Sequence, residues 1–290
     1  MLVKTVFLSV LLFSGTCRAA PAVVASIAPV HSIVSAVMAG GGKPELLLNP
    51  AVSPHDYALK PSDMRKLANA DLVIWGGAAL ESFLPKSLES AGVEGKSVAV
   101  LSDKRLTVLS VAGGTETDGH FWLMPSNMAV VAEIAAENLG RIDPDNKTLY
   151  DKNAAQVAEG LRALLKKGEK KLAPYKNKPF VTFHDAFGYF ERAFGVSSLG
   201  ALHIDAHHAS GARALSELRD KIKAAGKVCL FSEPQFSDKA VTTAARGLNV
   251  ETGVLDPMGA GVPAGVGFYD TLMNGLFDSL TDCLKRIDAP

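Results

Sequence analysis

The chain has 290 residues, 48% hydrophobic and 21% charged, with 30 basic side chains against 30 acidic ones. That length gives about two domains' worth of core and excludes a disordered chain or a small stapled scaffold. Balanced charge without a basic cluster argues against a nucleic-acid partner.

The first element is a targeting segment. Lys4 precedes an apolar run from Thr5 to Phe13, followed by small and polar residues up to Ala19, the pattern of a secretory signal peptide over residues 1–19. The run is about half of the ~20 residues that a membrane span needs, so no membrane insertion of the mature chain is expected. Thr16 stands before Cys17, where a lipoprotein signal would carry Gly or Ala, so simple cleavage near Ala19 and a periplasmic location are expected. Removing Lys4 and Arg18 from the 30 basic residues leaves 28 against 30 acidic, a net charge of −2.

From Ala20 onward, short β-branched runs (23–27, 45–48, 72–75, 98–101) alternate with helix-like segments beginning near Pro29, Pro61 and Leu80. This is the βαβ signature of a parallel sheet. A second series has strands at 180–183, 196–199, 228–231 and 250–255, with helices at 185–194, 210–225, 238–248 and 269–287. Between the two lies a break at Asp143, Pro144 and Asp145 and then a helical stretch from Lys147 to Leu172, about 26 residues or roughly 39 Å long. The expected fold is α/β, with two lobes of mostly parallel sheet (20–145 and 175–290) joined by one long helix (146–174).

Cleavage leaves two cysteines, Cys229 and Cys283. An even count in an oxidising compartment is most simply a disulfide, with a pair of buried thiols as the alternative. Neither has a Cys or His partner at zinc-finger spacing.

Four candidate ligands stand out. His55 follows the second strand, His184 ends the strand beginning at Phe180, Asp256 ends the last strand, and His120 lies in a loop before a helix. Ligands in open α/β sheets bind beyond the carboxyl ends of strands. Three imidazoles and a carboxylate suit Zn²⁺ better than Ca²⁺ or Mg²⁺. His203, His207 and His208 form a second cluster, read either as a polar loop or as a weaker metal site; Ile204 replaces the glutamate that a zinc-protease helix needs. A glycine-rich stretch, 259–264, formally matches a dinucleotide fingerprint, but no strand follows it to complete the unit.

Five motifs then appear in order: Ser-Pro-His-Asp-Tyr at 53–57 with Pro61-Ser62-Asp63 after it, Gly-His-Phe-Trp-Leu-Met-Pro at 119–125, Thr-Phe-His-Asp-Ala-Phe at 182–187, Ser-Glu-Pro-Gln-Phe at 232–236 and Leu-Asp-Pro-Met-Gly at 255–259. Together they resemble the metal-binding solute-binding proteins of ABC transporters, above all the zinc-binding group. The resemblance spans the mature chain. It implies two α/β lobes around one interlobe metal, ligand roles for His55, His120 and His184, a bridge between Cys229 and Cys283, and a membrane permease as partner to a monomeric receptor.

The pattern departs from the family in three ways. Only residues 113–118 precede His120, where many zinc-binding members carry a long loop rich in His and acids. Pro54 stands where some have an acidic residue, which makes Asp256 the expected fourth ligand and water the alternative. Manganese-binding relatives carry a carboxylate at the position of His184, so zinc is expected over manganese or iron. The rival reading from the residues alone is a zinc hydrolase with Asp256 as base.

Overall fold

The computed structural model describes residues 19–111, 114–203 and 212–288. All but the last residue of the expected signal segment lie outside this range, as do His207 and His208.

Two four-stranded sheets are present, and every strand pair is parallel. The first is built from β1 (Val23–Ala25), β2 (Glu45–Leu46), β3 (Leu72–Trp75) and β4 (Ser97–Ala99), in the order β2-β1-β3-β4. The second uses β5 (Phe180–His184), β6 (Ala201–His203), β7 (Val228–Ser232) and β8 (Val250–Val254), in the corresponding order β6-β5-β7-β8. Each sheet therefore has a switch point beside its first strand, where adjacent crossovers diverge and a crevice forms at the carboxyl ends.

Helices α1 (Ala28–Val37), α2 (Pro61–Ala68) and α3 (Leu84–Ser90) accompany the first sheet. The chain then runs through α4 (Pro125–Ile142) and α5 (Lys147–Leu172) to the second sheet with α6 (Gly188–Phe194), α7 (Ala212–Ala225), α8 (Asp238–Ala244) and α9 (Phe268–Asp288). α1 and α2 each carry proline in the first turn, where its missing N–H is not needed. In α2 the Asp63 carboxylate also accepts the Lys60 backbone N–H at 2.9 Å.

Strands buried on both faces explain the continuous apolar runs. In β1, Val23 and Ala25 face one cluster and Val24 the opposite one. In β7, Cys229 and Phe231 face one cluster while Val228 and Leu230 face another. The inner faces of both sheets join the same core, which also takes in Leu161 and Leu164 of α5 and Phe277 of α9. α5 buries Tyr150, Ala154, Ala158, Leu161, Leu164, Gly168 and Leu172, at intervals of three and four that form one helical stripe. No helix among the described residues is long and apolar enough to cross a membrane.

Sequence and structure differ in the second sheet. The strand expected at 196–199 is found at Ala201–His203, because Gly195, with φ +67°, caps α6 and the chain turns through 196–200 before Ala201 pairs with Thr182. The helix expected near Leu80 starts at Leu84, after a turn closed by Gly77 O.

Cys229 on β7 and Cys283 on α9 are disulfide-bonded, with Cα atoms 6.1 Å apart. The bridge fastens the last helix to the second sheet.

Candidate metal site

His184 is the last residue of β5, so the strand itself aims it at the crevice. His55 comes from an irregular loop between β2 and α2, and His120 from the loop between β4 and α4. Their nitrogen ligand atoms all lie within 4.8 Å of one another. The Nε2 atoms of His55 and His120 are 3.2 Å apart. Tetrahedral Zn–N bonds of roughly 2.0–2.1 Å place ligand nitrogens roughly 3.3 Å apart, so this spacing fits a shared zinc ion.

The rings do not meet by chance packing. His120 Nδ1 is 2.7 Å from Asp118 Oδ1, which also accepts the His120 backbone N–H at 2.9 Å. His184 Nδ1 is 3.3 Å from Glu233 Oε2. With Nδ1–H donated in each case, Nε2 keeps its lone pair for a metal. Both rings are buried, whereas His55 is half-buried.

Trp122, Phe236, Pro257 and Met258 wall a small cavity beside the three imidazoles, about 10 Å³, room for one water-sized occupant. On the other side His55 and His120 border a wider cleft of about 630 Å³, along with Glu116, Asp118 and Asp185.

The His120 loop is tied to the second half of the chain. Tyr189 of α6 accepts the Leu109 N–H at 2.9 Å and donates to Asp118 O at 3.0 Å. Burial, with the Asp118 charge adding to it, pushes the Tyr189 hydroxyl up to about 12, so it stays a donor. Trp122 Nε1 donates to Pro257 O at 2.8 Å, and Tyr269 OH to Trp122 O at 2.7 Å. Gln235 Nε2 reaches Pro50 O, at the base of the His55 loop, at 3.2 Å.

Asp256 is not brought into the cluster. Its Oδ1 accepts the backbone N–H groups of Met258 and Gly259 and the Gln235 amide, and its Oδ2 accepts the Ala260 N–H. β8 ends at Val254, and the following turn folds back onto the carboxylate. His203 ends β6 with its backbone in register with His184; with His207 and His208 outside the described residues, the second cluster has no described geometry.

A family profile described as "ZnuA: Zinc-uptake complex component A periplasmic" matches residues 23–283. The chain belongs to the ZnuA family. Among curated members, it is 37% identical to the high-affinity zinc uptake system protein ZnuA of Brucella suis, over 97% of this chain and 98% of that protein. With the protein of the same name from Haemophilus ducreyi it shares 33% identity over 99% and 100%. Among solved structures, the periplasmic zinc binding protein TroA from Treponema pallidum superposes with a TM-score of 0.78 at 25% identity, covering 91% of this chain and 99% of that one.

Two residues at this ZnuA-family site escape a reading by ligand type alone. Asp118 is two positions before His120, a spacing that signals a ring-orienting carboxylate. Glu233 is 49 positions from His184, and its only sequence signal is its place just beyond β7, the strand paired with β5.

Proposed function

We propose that this chain is the periplasmic receptor of a zinc ABC importer. It takes up one Zn²⁺ through His55, His120 and His184, hands it to a membrane permease and performs no catalysis. The observation that carries this reading is the convergence of three imidazoles from three separate segments, two of them held by carboxylates with Nε2 left for metal. Membership of a family described as the periplasmic component of a zinc-uptake complex supports the cargo and the partner. The segment 1–19 would direct export and be removed near Ala19, leaving a monomer.

Three imidazole donors favour zinc over manganese, which suits oxygen ligands. A hydrolase has less support, because the carboxylate that would act as base, Asp256, has both oxygens engaged in a turn.

Protein purified without added metal and then titrated with zinc should bind one equivalent tightly, with manganese displaced in competition. Alanine at His55, His120 or His184 should each weaken zinc at least about 100-fold, since losing a nitrogen bound to the ion costs more than the ~10–100-fold typical of losing a group that only orients a ligand. Wild-type affinity in all three variants would refute the site.

A further inference from the structure

Asp118 and Glu233 are each about 5% exposed or less. Neither pairs with a lysine or arginine among the described residues; the ionisable partner of each is the imidazole it touches. Glu233 Oε1 is buried with no hydrogen-bond partner among the described residues. Two buried carboxylates under a group of imidazoles, one of them half unsatisfied, are a costly arrangement for a neutral cluster. The arrangement makes sense around a dication. Zn²⁺ with three neutral imidazoles carries +2, and one carboxylate on the far nitrogen of each of two rings brings the assembly to zero.

We propose that Glu233 is a positioning residue of the metal site: it turns Nε2 of His184 toward the cation and, with Asp118 behind His120, offsets the cation's charge through the rings. This rests on the ligand assignment proposed above. The site then needs no carboxylate in direct contact with the metal, which accounts for an Asp256 spent on its own turn. A neutral water can complete the tetrahedron. Carboxylate partners of this kind orient the ring and raise its basicity as a ligand.

The test compares Glu233→Gln, Glu233→Ala, Asp118→Asn and His184→Ala in the full mature chain. The readouts are zinc affinity by competition with a chromophoric chelator, the visible absorption of the Co²⁺ form, and the melting temperature of the metal-free protein. Glu233→Gln, which keeps an acceptor but loses the charge, should weaken zinc about 10-fold and shift the Co²⁺ bands, without lowering the metal-free melting temperature. Glu233→Ala should lose about 100-fold, and Glu233→Gln combined with Asp118→Asn more than either alone. The proposal fails if Glu233→Gln and Glu233→Ala bind zinc like wild type while His184→Ala does not, or if they lower only the melting temperature and leave the Co²⁺ spectrum unchanged. Wild-type affinity in His184→Ala as well would overturn the ligand assignment along with it.

Discussion

Glu81 is fully buried where β1 and β3 end, accepting N–H bonds from Gly76 and Gly77 and lying 2.5 Å from Ser26 Oγ. Burial pushes its carboxyl up to about 7, against the lowering effect of those bonds. The folded chain keeps this proton to about pH 7, while the unfolded chain releases it near 4.5. Stability from this residue is therefore present at low pH and falls as pH rises between those values, by on the order of 3 kcal/mol in full. Glu81→Gln, neutral throughout, should show a smaller drop in urea midpoint between pH 5 and pH 8 than wild type; an identical drop would contradict this. The site shows how far single residues can be read from sequence. His55, His120 and His184 stand out because imidazoles at strand ends and in loops need a reason to be there. Asp256 looks the same by type and position, yet the Asp-Pro-Met-Gly that follows it is turn chemistry, and Asp side chains in such turns recruit backbone N–H groups. Strand-end position alone does not tell a side chain that joins the imidazole cluster from one that caps its own turn.

On α5, two glycines eight residues apart face opposite demands. Gly168 lies where Phe194 of α6 and Phe277 of α9 press on the helix; an added Cβ would stand 2.5 Å from both rings. Gly160 is exposed, and a Cβ there meets nothing within 4 Å. Gly168→Ala should thus lose about 1–3 kcal/mol to overpacking despite its better helix propensity, and Gly160→Ala should gain about 0.5–1 kcal/mol, both read from urea unfolding. The bounds of α5 were legible because a Pro-containing break precedes Lys147 and Pro174 follows Leu172. β6 was not, since Val196 and Leu199 are apolar enough to suggest a strand; Val196 packs into the core and Leu199 against the second sheet's outer cluster from within a turn. The Leu199 N–H already bonds Phe180 O of β5, although the paired residues begin only at Ala201, so burial beside a strand leaves the same trace in sequence as burial within one.

Among the described residues, a core cluster shared by both sheets and several hydrogen bonds join the halves, and a disulfide fastens the second half internally. Cys229 and Cys283 close a loop of 54 positions, which removes about 4 kcal/mol of freedom from the unfolded chain. The double variant Cys229→Ala, Cys283→Ala should melt at a lower temperature yet bind zinc with unchanged affinity below that transition, because the bridge joins β7 to α9 and none of the three clustered imidazoles is on either element; a large fall in affinity would show that the bridge shapes the site. Across the halves, Ser32 of α1 donates to Val266 O and accepts the Tyr269 N–H, beside the Trp122–Pro257 and Tyr269–Trp122 bonds. A frame stitched in this way leaves the halves little freedom to part, so small-angle scattering curves with and without zinc should superimpose. Such a receptor cannot advertise its cargo by changing outline. Empty and loaded copies would then queue for the same permease on nearly equal terms, and the empty ones would obstruct. Import would rise with the amount of receptor only until receptor outnumbers zinc, and beyond that point more receptor would mean slower uptake.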